Sequence, residues 1–511
     1  MTGKFMTIDN IPIELTGEEK NLLEVIRRTG IELPTFCYYS ELSVYGACRM
    51  CMVEDDRGNI HAACSTPPKA GMTIYTNTSR LRKDRRNILE LLLANHCRDC
   101  TTCHNNGKCK LQDLAMRFNI EGVRFPNGAA EPRRDDSSLC ISRDHNKCIL
   151  CGDCVRMCNE IQSVGAIDFA RRGSKMTIST VFDIPIAESN CVGCGQCAAV
   201  CPTGAIVVKN DTAKVWKALD DKKARVSVQI APAVRVAIGE EFGIGGGENA
   251  MGRIVAALRR MGFNEVFDTS TGADLTVLEE SAEFLEKLAN GGTDEMPLFT
   301  SCCPAWSVMA KKLFPEFTEN ISMALTPMVI TARLMKKEHP NARIVFVGPC
   351  AAKKLEASRR SVRSEVDFVL TFEELQGMFD AKDIDFAALE PDECATEFEH
   401  GTGAGRGFAV GGGVAAAVAE VIARIAPERE IEVEYGDGLR ECRRMLAMAK
   451  AGKRHGYLLE GMACPGGCVA GAGTITPVLN AASNVRAYKA RADRQNSLES
   501  DFVERLKEVE Q

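Results

Sequence analysis

The chain has no excess of basic residues, no export-like start and no uncharged apolar run of membrane length. Its 63 lysines and arginines face 69 acidic residues, giving a formal net charge of −6 and a pI near 5.8. That balance offers no attraction to nucleic acid or to an anionic membrane, so neither is expected as a partner. The opening MTGKFMTIDN lacks the basic and apolar regions of a signal peptide, and a cytoplasmic location is expected. The most apolar long stretch, GFAVGGGVAAAVAEVIARIA at 407 to 426, contains Glu420 and Arg424 and opens on glycines. It reads as a buried core helix. A nucleotide loop is also missing. GIGGGENA at 243 to 250 has no Lys-Ser/Thr and does not fit a GxGxxG placed directly after a strand, so a glycine turn is expected there. With 511 residues, 45% hydrophobic and 26% charged, the chain has an ordinary globular composition and is too long for a single core.

Cysteine is abundant: 24 residues, nearly all in tight groups. Without an export signal, disulfides are not the expected use of them, because a cytosol keeps thiols reduced. The groups divide the chain into modules. Residues 1–78 alternate short apolar strands with turns. Residues 79–125 begin with leucines at helical spacing in RLRKDRRNILELLLANH. PNGAAEPRRDDSS, 126 to 138, reads as a linker. Residues 139–210 hold an internal cysteine repeat. Residues 222–495 alternate β-rich runs (VSVQIA, RIVFVG, GYLLEG) with helical stretches, as an α/β domain does. Its cysteines follow strands, where α/β folds place their sites. The tail, 496–511, reads as a capped, charged helix.

The repeat is the most specific signal. Cys148, Cys151, Cys154 and Cys158, then Cys191, Cys194, Cys197 and Cys201, each follow C-x2-C-x2-C-x3-C. This is the bacterial ferredoxin run, in which the fourth cysteine of each run ligates the other of two 4Fe–4S clusters. Cys37, Cys48, Cys51 and Cys64 suit 2Fe–2S or zinc. A further group, HCRDCTTCHNNGKC, offers His96, Cys97, Cys100, Cys103, His104 and Cys109. The sequence YGACRMCMVE followed by CSTP resembles the N-terminal 2Fe–2S domain, a β-grasp fold, of large redox subunits such as that of respiratory complex I. Those subunits also carry H-x3-C-x2-C-x5-C. The resemblance therefore implies a 2Fe–2S cluster in the first module and a small helical domain with a 4Fe–4S cluster on His96, Cys100, Cys103 and Cys109. Zinc remains the alternative at both.

Three further segments, TSCCPAW at 300 to 306, GPCAAKKLE at 348 to 356 and EGMACPGGCVAGAG at 460 to 473, resemble the signature motifs of the di-iron (FeFe) hydrogenases. The resemblance covers essentially the whole chain. It implies a multidomain α/β and α+β protein catalysing 2H⁺ + 2e⁻ ⇌ H₂ on an H-cluster: a 4Fe–4S cluster bridged to a di-iron centre with CO, cyanide and a dithiolate. By motif position its ligands are Cys303, Cys350, Cys464 and Cys468. Cys302 is left to carry protons, a task a thiol with tunable pKa can perform. The implied relay continues through Glu280, Ser322 and Glu283. Lys353 is implied to pair with a cyanide and to be held by Glu356. Met462, Phe408, Pro232, Ala233 and Met328 are implied to line the pocket, plain core packing being the alternative for Met462 and Phe408.

The sequence departs from many members at Gly348 (methionine), Ala233 (serine), Thr326-Pro327-Met328 (Ser-Pro-Gln) and the final Gly-Ala-Gly (three glycines). Unless Met328 or a neighbour fills the space, Gly348 implies a void or a water site. Lost donors at 233 and 328 imply a more firmly held oxidised state and weak hydrogen evolution. The family further implies H₂ and protons as substrates, ferredoxin or flavin- and NAD(P)-binding subunits as partners, and maturation proteins for the di-iron centre. The alternatives are a hydrogen sensor, expected to add a signalling domain, and an Fe–S assembly protein, which would not need Cys302 and Lys353. A molybdenum formate dehydrogenase or complex I subunit would share only the first half.

Overall fold

The computed structural model describes residues 4–127, 133–234, 250–291, 297–359, 362–392 and 401–506. Cys394 and, except for Ala250, the GIGGGENA segment lie outside them.

The N-terminal module is built on a five-stranded sheet ordered Ile11–Leu15, Lys4–Ile8, Thr73–Tyr75, Met52–Asp55, Ile60–Ala62. Asp9 and Asn10 both take positive φ, 48° and 69°, as a two-residue hairpin turn demands. Helix Leu22–Arg28 packs Leu22, Leu23, Val25 and Ile26 onto Met6, Ile8, Val53 and Ile74. The helix expected after it spans Ser79–Ala94 and is N-capped by Thr78, whose hydroxyl accepts from the Leu81 amide. A second short helix, Lys110–Arg117, packs beside it.

The repeat forms a pseudo-symmetric module. Helices Asp153–Arg156 and Gln196–Ala199 each start at a left-handed glycine, Gly152 and Gly195. Its sheet pairs Ile206–Val208 with Ile141–Asp144, and the latter with Arg134–Asp135. The linker expected at 126 to 138 therefore contributes an edge strand. The Asp135 carboxylate also accepts from the Ile186 amide, tying the segment down.

The C-terminal region holds two parallel sheets. One runs Glu265–Asp268, Val226–Ile230, Arg343–Val347, Phe368–Leu370, and the other runs Leu298–Phe299, Tyr457–Met462, Glu432–Asp437. All five residues of Val226–Ile230 are buried, as expected for a strand covered on both faces. Long helix Thr269–Gly291 packs on helices Pro327–Glu338 and Gly413–Ile425, the core helix expected within 407 to 426.

Up to Arg505 the tail differs from its expected helix, and residues 507–511 of that expectation lie outside the described residues. Among the described residues it forms two 3₁₀ turns, Ser497–Glu499 and Val503–Arg505. The Asn496–Glu499 capping box is present, but tertiary bonds take over from helical ones. Ser497 donates to the buried Asp274 carboxylate at 2.8 Å, and Arg424 pairs with Glu499 at 2.7 Å.

Candidate active site and its cluster relay

The three motifs meet because each follows a strand. Leu298–Phe299 leads to Cys302 and Cys303, Arg343–Val347 to Cys350, and Tyr457–Met462 to Cys464 and Cys468. Two motifs interlock through Trp306 and Gly461. A Cβ at Gly461 would lie 2.2 Å from the Trp306 ring, so glycine there is a packing requirement. Gly466 and Gly467, with φ of 96° and 91°, make the turn that brings Cys468 back beside Cys464.

The adjacent cysteines have different surroundings. Cys350, Cys464 and Cys468 are each pushed up by burial and by the field of Cys303, and Cys464 also feels Cys468. These four thiols form one set. Cys302 faces elsewhere: burial pushes its thiol well above the ordinary value, and the charges that act on it are Glu280, Lys353, Glu460 and Glu356. Successive residues at the N-terminus of helix Pro304–Leu313 thus serve two sites.

A cavity of about 90 Å³ lies above the set. Its wall includes Pro232, Ala233, Met328, Lys353, Phe408 and Met462, together with Cys302, Cys303, Cys350 and Cys468. Met462 and Phe408 also belong to the hydrophobic core, so lining and packing are both true of them. Lys353 Nζ lies 2.6 Å from Glu356 and 3.3 Å from both the Cys302 carbonyl and Thr326 Oγ1. Burial opposes the lysine's charge, but Glu356 outweighs it and raises the Lys353 pKa. No void is left by Gly348. A Cβ there would lie 2.5 Å from the Phe346 ring, which reaches the cavity wall and fills the space.

Of the expected relay, the outer part is directly bonded. Ser322 Oγ donates to Glu283 Oε2 at 2.7 Å. Glu280, on the same helix, is fully buried, and burial pushes it up to about 8. Its Oε1 accepts from the Ser301 amide at 3.0 Å, while its Oε2 has no partner. No direct Glu280–Ser322 bond is present among the described residues. Ser301, Phe346 and Glu460 escaped sequence reasoning, and Thr326, noted there only as a departure from serine, bonds Lys353. Glu460 is buried and accepts from the Gly412 and Ala415 amides at the start of helix Gly413–Ile425. Burial raises it to about 7.

The structure also brings together the cysteines of the other groups. Cys148, Cys151 and Cys154 face Cys201, whereas Cys158 faces Cys191, Cys194 and Cys197. Cys37 faces Cys48, and Cys51 faces Cys64, all four close enough to shift one another. His96, Cys100, Cys103 and Cys109 line one small cavity, shared with Cys97 and Thr203. His96 Nε2 is buried without a partner, which fits a ligand nitrogen, and His104 is exposed. Backbone amides point at Cys48, Cys148, Cys158 and Cys191 at 3.3–3.4 Å, the hydrogen bonds that cluster-bound thiolates usually accept. These donor sets fit iron–sulfur clusters, and the four-thiol set under an apolar cavity fits the cubane part of an H-cluster.

Comparisons with known proteins agree. Residues 6–79 match the 2Fe-2S iron-sulfur cluster binding domain, 85–124 the NADH-ubiquinone oxidoreductase-G iron-sulfur binding region, and 147–205 the 4Fe-4S dicluster domain. Residues 224–472 match the iron only hydrogenase large subunit, C-terminal domain. The chain is 36% identical over 504 residues to the NADP-reducing hydrogenase subunit HndD of Solidesulfovibrio fructosivorans, covering 89% of this chain and 86% of that one. It is 30% identical over 499 residues to Iron hydrogenase 1 of Clostridium pasteurianum, covering 90% and 86%. It is also 37% identical over 208 residues to the NADPH-Fe(3+) oxidoreductase subunit alpha of Geobacter sulfurreducens, covering 40% of this chain and 24% of that one. The chain belongs to the multi-cluster FeFe hydrogenases. It is an oxidoreductase, an iron hydrogenase with iron–sulfur domains, and no described helix is long and apolar enough to cross a membrane.

Proposed function

We propose that this chain catalyses 2H⁺ + 2e⁻ ⇌ H₂ at the cavity above Cys303, Cys350, Cys464 and Cys468, with Cys302 passing protons. The observation that carries this is the split between the adjacent thiols, one in the four-cysteine set and the other facing Glu280 and Lys353. The di-iron centre, when bound, supplies the redox chemistry of hydrogen. The protein's part is to hold it, keep water out and move protons. Lys353, fixed by Glu356, presents an ammonium to an anionic diatomic ligand. Cys302, held protonated by burial, is a donor at the cavity wall, and Glu280 is the next group able to exchange a proton near neutral pH. Ser322 and Glu283 complete the route to the surface. Glu280 and Ser322 are joined by a mobile proton carrier or by side-chain rotation.

Electrons follow a forked line through a β-grasp 2Fe–2S domain (1–78), a His-ligated 4Fe–4S domain (79–125) and a two-cluster ferredoxin-like domain (139–210). Gln196 donates to Cys464 Sγ at 3.2 Å, and a Cβ at Gly195 would lie within 2.8 Å of the Ala351 and Ala472 methyls. This close approach supports passage between the Cys191 cluster and the active site. The Cys148 cluster comes next. From it one arm leads to the 2Fe–2S site, since Cys48 and Cys151 border one cleft, and the other to the His96 site, since Cys109 Sγ lies 3.9 Å from the Pro202 carbonyl. Kinship with a subunit of an NADP-reducing hydrogenase supports flavin- and NAD(P)-binding partner subunits, with ferredoxin the other acceptor.

Infrared spectroscopy of anaerobically matured protein, paired with hydrogen-driven dye reduction, tests the proposal. Bands of bound CO and cyanide with turnover are expected. Full iron loading without either would refute it. The lone chain is expected to reduce dyes or ferredoxin but not NAD(P)⁺.

A further inference from the structure

Arg85 lies mid-way along helix Ser79–Ala94 and is 3% exposed. Its guanidinium meets only carbonyls: Nε donates to Met50 at 3.0 Å, Nη1 to Thr76 at 3.0 Å and Nη2 to Met52 at 2.5 Å. Met50 and Met52 flank Cys51. No carboxylate lies within ion-pair distance of Arg85 among the described residues. Asp9, a carboxylate whose field reaches it, is engaged by the Thr76 amide and hydroxyl. Arg156, which reaches the same site through the Cys37 carbonyl, differs in being neutralised by Asp153.

A buried cation without a counter-charge is strongly disfavoured. The thiolates at Cys37, Cys48, Cys51 and Cys64 with their metal supply the missing anion. An iron–sulfur cluster gains one more negative charge on reduction, so a fixed cation nearby favours the reduced form. We propose that Arg85 is a positioning residue for the 2Fe–2S cluster, clamping the Cys48–Met52 loop through its carbonyls and setting the cluster's reduction potential by its unpaired charge. It belongs to the neighbouring module, so the potential of one cluster is set by a helix that leads directly to His96, a ligand of the next.

This rests on the cluster assignment made above. Redox titration of the whole chain, following the slowly relaxing 2Fe–2S EPR signal, tests it in wild type, Arg85→Gln and Arg85→Lys. Absence of that signal in iron-loaded wild type would refute the cluster assignment, a failure distinct from that of the Arg85 role. The glutamine variant is expected to show a reduced-to-oxidised ratio at least tenfold lower at a fixed potential, about 59 mV for a one-electron couple. The lysine variant, which keeps the charge but loses the fork of donors, is expected within about twofold of wild type. An unchanged ratio in Arg85→Gln overturns the proposal, as does an equal shift in both variants. If Arg85→Gln assembles no cluster, Arg85→Lys decides. A cluster retained near the wild-type ratio supports the proposal, and its loss or a tenfold shift overturns it.

Discussion

The surroundings of Cys51 and those of Cys302 handle buried charge in opposite ways. Around Cys51 the protein buries a permanent cation, Arg85, and offers it only carbonyls. Around Cys302 it buries groups that can shed their charge: Glu280 pushed up to about 8, Glu460 to about 7 and a thiol held protonated. The exception is Lys353, whose charge is neutralised at once by Glu356. An electron site needs a constant field, because its potential must not drift with pH. A proton site needs carboxyls and thiols whose two states are close in energy, and desolvation is the means of bringing them close.

The strongest way to break the comparison is at Cys302. Cys302→Ser should load all clusters yet turn over roughly 10²–10⁴-fold more slowly, because an alcohol is a far weaker acid than the thiol. Wild-type turnover with bound CO and cyanide in the infrared would remove Cys302 from the relay.

Glu280 gives a pH-dependent test. Its carboxyl has a raised folded-state pKa, so the native state binds the proton more tightly than the unfolded chain does. The stability so gained is complete below about 4.5 and is lost as pH rises toward about 8. Glu280→Gln removes this slope and leaves Asp274 and Glu460 in place. Urea midpoints of wild type and variant, compared at each pH, should therefore diverge in the variant's favour with rising pH over that window. Parallel curves would mean that Glu280 is already ionised in the fold. Hydrogen turnover should fall in the variant at every pH.

Smaller effects are expected from packing. Gly348→Met should destabilise the protein by about 1–3 kcal/mol, since the Phe346 ring holds the space. Adding Phe346→Ala should recover much of this, a non-additivity that thermal unfolding of the two singles and the double would reveal. Additive losses would show that the ring is not the obstacle. The smallest shift is on the electron side. His96→Cys should keep its cluster with a lower potential, roughly tens of millivolts, because thiolate adds negative charge. EPR titration of the whole chain would read it, and an unchanged potential would argue that His96 is not a ligand.

The grouping of the cysteines was legible because their spacing is local and Cys303, Cys350, Cys464 and Cys468 sit just past strands with a recognisable β pattern. So was the division between Cys302 and Cys303, once the motif was seen. What surrounds them was not legible. Arg85, Ser301 and Glu460 act through contacts with residues distant in sequence, and each looks ordinary in its own segment. Gly348 shows the point: a missing methionine suggests a hole, yet the residue that closes it lies two positions earlier on the strand and is recognisable only from its ring's direction. The tail misled for the opposite reason. Its capping box is genuine, but a cap nominates a start without guaranteeing a helix when Asp274 and Arg424 compete for the same residues.

Helix Ser79–Ala94 begins where the first module ends, carries Arg85 at mid-length and delivers His96 two residues after its last turn. Each residue of an α-helix advances about 100° of rotation and 1.5 Å of rise, so the two positions are geared to each other. Inserting or deleting one residue between them would swing the guanidinium off the Met50 and Met52 carbonyls or turn the imidazole away from its cysteines. For anyone transplanting electron-transfer cassettes between redox enzymes, the boundary at 78/79 is therefore a poor place to cut. On the role proposed for Arg85, a graft that carries only residues 1–78 would leave that cation behind.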